Sequence, residues 1–365
     1  ITMYTDFLST IAGHAKTTLK PLVPSIDQNG FYPKQYLHEL GKLGGFAALA
    51  TPSEGGLGYG LDTQIEVIRQ VGKECGATAF SVWCQSACAW YLHKTERPAV
   101  RQKYLADIIH GTILAGTGMS NTIKHLSKIE KHLLQAEKTE SGYIVNGSLP
   151  WVSNIGEDHA WAATAQLSTN EFIMFMVHGQ QDGIQLKACP EFCALEGTNT
   201  FSVRFNNVQI HDDDLLADVH EFKNYIQSIK PGFILLQVGM GAGIIDGCIQ
   251  IMKESNLLTE HMNQYLDISE LDAEETLDSL MAQTTDLAKQ VDANTASLLP
   301  ILRTRLEAAE ATLAIAQSAA LHAGAKGYLM RHAAQRRTRE ALFVAIVTPA
   351  IKHLRQDIAT LKLAS

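Results

Sequence analysis

Residues 133–146 read LLQAEKTESGYIVN. The runs Leu133–Glu137 and Tyr143–Asn146 flank a Ser141-Gly142 turn, a pattern that predicts a β-hairpin. Short apolar runs bounded by Gly, Asn, Asp or Pro continue outward at Ala160–Gln166, Phe172–Val177, Ile184–Ala188 and Phe201–Phe205, so the middle of the chain reads as a small sandwich or barrel. On either side the apolar spacing changes to three and four residues, the period of helix. Upstream, Leu61, Ile65, Ile68, Val71 and Cys75 form one stripe behind the loop Gly55-Gly56-Leu57-Gly58. A second helix is expected over Thr78–His93, and Pro98 opens a third that ends near Gly111. Downstream, helix is expected to resume at Pro231. Ser269 and Asp272 have the spacing of a capping box ahead of Leu277, Leu280, Met281, Thr284, Leu287 and Val291. Pro300 opens a helix through Leu302, Leu306, Ala309, Leu313 and Ala316 that stops near Gly324, followed by helices over Arg331–Val347 and from Pro349. The expected fold is therefore α+β and multidomain: an N-terminal α-helical domain (1–115), a central β-barrel or sandwich domain (116–222) and a C-terminal four-helix bundle (223–365).

The composition narrows the partners. Of 365 residues, 46% are hydrophobic and 19% charged, with a formal net charge of −8. That is enough apolar content for a packed core, and the lack of a basic excess argues against nucleic acid. The longest apolar stretch, Phe233–Ile245, is interrupted by Gln237 and glycines and is too short to span a bilayer, so no membrane span and a cytoplasmic location are expected, with Met3 as the start. Six cysteines suit a reducing compartment. The Cys-x-x-x-Cys pairs Cys84/Cys88 and Cys189/Cys193 have no histidine at ligand spacing, so free thiols are expected there rather than a metal. Gly239, Gly241 and Gly243 do not complete a dinucleotide loop, and close helix packing accounts for them better. No Gly-x-Ser-x-Gly, His-Glu-x-x-His or Walker string is present. Seven of the eleven arginines (Arg303, Arg305, Arg331, Arg336, Arg337, Arg339 and Arg355) follow residue 300, and either a pyrophosphate-bearing ligand or a face of ion pairs accounts for them. Leu149–Asn154 sets Trp151 beside Ser153 and Asn154, a platform for a flat heterocycle or, alternatively, a core tryptophan with a turn serine.

Four strings, in order along almost the whole chain, resemble the acyl-CoA dehydrogenase family of flavoproteins. Pro52-Ser53-Glu54-Gly55-Gly56-Leu57-Gly58 is similar to the family's Pro-x-x-x-Gly-Gly-x-Gly loop, and Trp151-Val152-Ser153-Asn154 to its Trp-Ile-Thr/Ser-Asn segment. Gly324-Ala325-Lys326-Gly327-Tyr328 resembles Gly-Gly-x-Gly-Tyr, and Arg336–Glu340 the Arg-x-x-Arg-Asp beyond it. The resemblance implies FAD, with FMN as the alternative, between the β domain and the C-terminal helices of a homodimer or homotetramer. It implies that Trp151 packs near the flavin and that Ser153 hydrogen-bonds its reactive edge. Ser120 falls in the flavin-contacting loop Leu114–Thr122, while Gly324, Gly327 and Tyr328 meet the cofactor of a neighbouring subunit. The apolar stripe Leu302–Ala316 adds to the expectation of an oligomer.

The implied substrate is a hydrophobic small molecule, an acyl-CoA in most of the family. A carboxylate there removes the α-proton while hydride passes from the β-carbon to flavin. Here the chain departs from the pattern. Counting from Arg339 puts Thr348, in Val347-Thr348-Pro349-Ala350, where the family's Tyr-Glu-Gly-Thr has its glutamate, and the alternative glutamate position falls near Pro231. The Arg-x-x-Phe-Gly segment is replaced by Asn256-Leu257-Leu258-Thr259-Glu260-His261. Threonine has no pKa near neutrality and cannot serve as the base. Glu307 and Glu310, three residues apart on one helix face, are the remaining carboxylate candidates. The expected function is an acyl-CoA dehydrogenase-like flavin-dependent oxidoreductase with an altered site; the alternatives are a two-component flavin monooxygenase on the same fold and a binding protein that kept the fold without turnover.

Overall fold

The computed structural model describes residues 2–365. The N-terminal part holds α1 (Thr2–His14), which runs on through π and 3-10 turns, then α2 (Val23–Asn29), α3 (Lys34–Lys42), α4 (Leu61–Gly72), α5 (Gly76–Lys94) and α6 (Pro98–Ile109). The expected stripe lies on the buried face of α4. By contrast α5 is buried on every side from Gly76 to Leu92, as an all-round apolar helix must be.

The central part comprises β1 (Ala115–Thr117), α7 (Ser120–Leu126), β2 (Leu134–Thr139), β3 (Gly142–Val152), β4 (Ala160–Ser168), β5 (Glu171–His178), β6 (Ile184–Ala188), β7 (Phe201–His211) and β8 (Leu215–Ala217). The strands form one sheet in the order β6-β7-β3-β2-β4-β5-β8, with β1 beside β4. Its two halves meet only through the single pair Gln135↔Gln166 between β2 and β4. They fold toward each other there, so that Leu149, Val145 and Phe205 of one half share a core with Trp161, Ile173 and Phe175 of the other. The expected hairpin is β2–β3. What the sequence reading shortened is β3, which continues past Gly147 to Val152.

Pro150 sits inside that extension. It has no N–H for the ladder, and the β3–β7 register is irregular between Leu149 and Val152. Strict alternation would send Trp151 to the same face as Leu149; the irregularity instead leaves Pro150 and Trp151 both outside, with Leu149 and Val152 buried.

The C-terminal helices are α8 (Phe222–Leu236), α9 (Val238–Asn263), α10 (Glu270–Asp292), α11 (Leu298–Ala323), α12 (Ala333–Ile346) and α13 (Ile351–Ala364). Helix does not resume at Pro231: α8 begins at Phe222 and carries Pro231 in its interior. Pro231 withholds the N–H that the Gln227 carbonyl would otherwise receive, and this part of α8 is deeply packed, with Trp90 of α5 donating its indole N–H to the Ile229 carbonyl at 2.8 Å. Gln237 alone separates α8 from α9. By composition Phe222–Asn263 is long and apolar enough to cross a membrane, but 94% of its apolar window is buried inside the protein, which makes it a core helix. Ser269 caps α10, its hydroxyl accepting the Asp272 N–H, while the Asp272 carboxylate accepts the Ser269 N–H. Such a cap stabilises a helix by about 1 kcal/mol.

The helices from both ends of the chain share one core: Ile65 and Ile68 of α4 and Trp83 and Trp90 of α5 belong to the same cluster as Ile245 of α9, Leu302 of α11 and Val344 of α12. The glycines of α9 make this approach possible. A Cβ on Gly243 would lie 2.7 Å from the Gly72 Cα of α4. The stripe Leu302–Ala316 is used in this core, so it offers no oligomer surface.

The arginines do not gather on one face. Arg336 and Arg337 both bind Glu340, Arg339 grips Asp27 with two nitrogens at 2.9 and 2.6 Å, and Arg355 meets Glu310. Ion pairing, rather than a shared anion site, accounts for these four.

Candidate functional site

A cavity of about 350 Å³ opens where the sheet meets the helices. Its inner wall is aromatic. Phe80 and Trp83 of α5 meet Phe343 of α12 and Phe233 of α8 edge-on, with ring centroids 4.6 and 5.0 Å apart. These four come from three helices that only tertiary packing unites, so no local spacing in the sequence marks them as a set.

Ser120, Trp151, Ser153 and Thr348 all line this cavity. Ser120 begins α7, and its hydroxyl lies 2.7 Å from that of Thr348 in the connection between α12 and α13. Trp151 stands at the mouth, 53% exposed, which excludes the core-tryptophan alternative. Ser153 closes a chain of hydroxyls with Thr200 (2.6 Å) and Thr198 (2.9 Å further). The next residue, Asn154, is buried with φ +60°, in the left-handed region that asparagine tolerates better than most residues. Its amide donates to the Ala115 carbonyl at 2.8 Å and its carbonyl oxygen accepts the Tyr32 hydroxyl, which ties the end of β3 to β1 and to the N-terminal helices. Burial pushes the Tyr32 hydroxyl well above its ordinary pKa, so it remains a donor.

Thr348 is held from behind. Gln237, fully buried at the break between α8 and α9, donates its amide to the Thr348 carbonyl at 2.9 Å and accepts from Arg305 Nε at 2.7 Å. Arg305 also donates to the Val344 carbonyl at 2.8 Å, in the last turn of α12. This guanidinium is wholly buried and has no carboxylate partner; burial pulls its pKa down to about 10. The carbonyls and the negative end of α12 take the place of a counter-ion. Arg305 was in view only as one of seven late arginines, since its partners lie 68 and 39 residues away.

No carboxylate lines the cavity among the described residues. Where α8 faces it, the chain places Phe233. Glu310 is engaged with Arg355 at the surface, and neither it nor Glu307 reaches the cavity, so the two do not supply a base. Gly324, Gly327 and Tyr328 also lie outside its lining. They form the turn after α11, where Tyr328 is 90% exposed and Gly327 packs so closely that a Cβ would fall 2.7 Å from that of Ala323.

The lining residues suit a flat heterocycle with a polar edge. Trp151, which meets Phe192 edge-on, gives an exposed aromatic ring at the mouth, the Ser153–Thr200–Thr198 hydroxyls give donors and acceptors, and the aromatic wall excludes water.

Known proteins of two kinds match. Residues 4–112 match the sequence profile of the acyl-CoA dehydrogenase N-terminal domain. Over nearly the full length the chain is 25% identical to the probable acyl-CoA dehydrogenase YngJ of Bacillus subtilis, covering 91% of this chain and 90% of that protein. It is 23% identical to the mitochondrial 2-methylacyl-CoA dehydrogenase of Solanum tuberosum (96% and 88%). Among solved structures, butyryl-CoA dehydrogenase from Megasphaera elsdenii superposes with a TM-score of 0.90 at 17% identity, covering 100% of this chain and 98% of that one. A prolyl acyl carrier protein oxidase superposes at 0.83 with 16% identity, covering 99% of both chains.

Proposed function

We propose that the chain, whose N-terminal part matches the acyl-CoA dehydrogenase N-terminal domain and whose fold is that of butyryl-CoA dehydrogenase, belongs to the acyl-CoA dehydrogenase family and is a flavin-dependent oxidoreductase acting on a hydrophobic, thioester-linked substrate. The observation that supports this most is the convergence of Ser120, Trp151, Ser153 and Thr348 on one aromatic-walled cavity. FAD is the cofactor proposed, with Trp151 against its ring system and Ser153 at its polar edge. When bound, a flavin accepts two electrons from the substrate. The chain's own residues do the remaining work: Phe80, Trp83, Phe233 and Phe343 exclude water around an apolar acyl group, and the Ser120 and Thr348 hydroxyls present hydrogen bonds to a carbonyl oxygen. The segment Gly324–Tyr328, exposed at Tyr328, is proposed to serve the site of a second copy.

Thr348 in place of a glutamate changes the chemistry within this reading. With no carboxylate in the lining, an α-proton has no protein carboxylate to receive it, and this favours, as a second reading, a flavin monooxygenase reaction that needs no such base. The deciding experiment is a visible absorption spectrum of the purified protein with mass identification of any released flavin. A flavin spectrum supports the oxidoreductase; a colourless protein that binds neither oxidised nor reduced flavin removes it and leaves a binding protein.

A further inference from the structure

A second, smaller cavity of about 180 Å³ adjoins the first, and the two share Ser120, Lys124 and Trp151. The larger chamber is walled by aromatic rings. The smaller has an apolar side formed by Leu133, Leu149 and Pro150 and a polar side formed by Asn121, Glu130 and Lys131. Lys124 stands at the waist between them, four residues after Ser120 on α7 and so on the same helix face. Among the described residues its ammonium has no hydrogen-bond or ion-pair partner. The one carboxylate in the smaller cavity, Glu130, instead accepts the Asn121 amide at 2.9 Å. Lys124 and Lys131 thus stand in a lining whose one carboxylate is engaged, and the excess of formal charge there is positive. An ammonium left unpaired at the junction of two cavities suits a ligand that brings its own negative charge.

We propose that Lys124 binds a phosphate group of the ligand, held in the smaller cavity while the ligand's flat or apolar body fills the larger one. This rests on the reading of the larger cavity given above. Phosphate reaches such a site from either of two sources, the pyrophosphate of a flavin dinucleotide or the phosphate arm of a thioester carrier.

Calorimetric titration of the full chain with two ligand pairs separates them: FAD against riboflavin, and a short acyl-CoA against the N-acetylcysteamine thioester of the same acid. Lys124→Met is expected to weaken the phosphate-bearing member of one pair roughly tenfold or more and to leave its phosphate-free counterpart unchanged. Lys124→Arg is expected to retain the affinity, and Lys124→Glu to lose more than Lys124→Met. The pair that shows the selective loss identifies the source. Equal changes in both members of each pair, or affinities unaltered by Lys124→Met, overturn the proposal. Selective loss for acyl-CoA in a protein that binds no flavin upholds Lys124 and removes the flavin reading; a parent that binds none of the four ligands removes both. Because Lys124 has no partner to leave stranded, the variants are expected to keep the far-ultraviolet circular dichroism of the parent.

Discussion

Thr348 lies where the family resemblance places a glutamate, and we propose that this one side chain decides the reaction. Its hydroxyl is paired with Ser120 at 2.7 Å and its carbonyl with Gln237, so it is fixed at the cavity floor but has no proton-accepting group. The parent is therefore expected to oxidise saturated acyl-CoAs only weakly with an artificial electron acceptor. Thr348→Glu should raise that rate, with about 10² to 10⁴ the range that general-base catalysis contributes. Steady-state assays across chain lengths check this, and robust turnover by the parent would place the base elsewhere. Trp151→Ala is expected to leave folding intact, because the side chain is half outside the protein, yet to weaken flavin retention; the flavin-to-protein absorbance ratio after gel filtration measures it. The family resemblance marked Ser120, Trp151, Ser153, Gly324, Gly327, Tyr328 and Thr348; Ser120, Trp151, Ser153 and Thr348 line one cavity, and Gly324, Gly327 and Tyr328 do not. Arg305 and Gln237 were not legible as a pair, because each acquires its role from a contact across 68 residues of chain.

Among the elements, α12 depends most on charge. Glu340 is buried, receives Arg336 and Arg337 at 2.8 and 3.0 Å, and accepts the Gly76 N–H at the first residue of α5. Burial alone would push its pKa up, but the two guanidiniums and the backbone donor outweigh that and hold it below the usual carboxylate range. A carboxyl depressed in the folded state contributes stability that is complete above its unfolded pKa of about 4.3 and is lost as pH falls through the folded value. Glu340→Gln leaves two arginines without their partner and is expected to cost about 3–5 kcal/mol at neutral pH. Denaturant midpoints taken from pH 7 down to pH 3 should fall more steeply in the parent than in the variant. Helix starts were readable where side chains cap locally, as Ser269 does for α10. The start of α8 was not, since Pro231 favours the first turn of a helix and here lies in the interior of one that packs against α5. The far end of β3 was hidden for a similar reason: the irregularity at Pro150 breaks the alternation on which a strand is recognised.

For the whole molecule, exposed apolar side chains remain where the helices end. Leu257 is 83% exposed and Leu258, Met262 and Tyr265 follow it outward on the last turns of α9 and just beyond, an arrangement that a second copy of the chain would cover. Light scattering at micromolar concentration is expected to give at least twice the 39.9 kDa chain mass; a monomeric mass would refute this. The α, β, α order was plain in the sequence because hydrophobic period changes twice along the chain. That helices from opposite ends share a single core was not, since periodicity says which face is buried and nothing about what covers it. This sharing has a cost during synthesis. The apolar surfaces of α4 and α5 are complete once Lys94 has been made, but α12, part of what covers them, ends at Ile346. At about 5–20 residues per second a ribosome needs roughly ten to fifty seconds to cross that interval, and for that time the nascent chain presents Phe80 without its partner Phe343, a natural client for a chaperone.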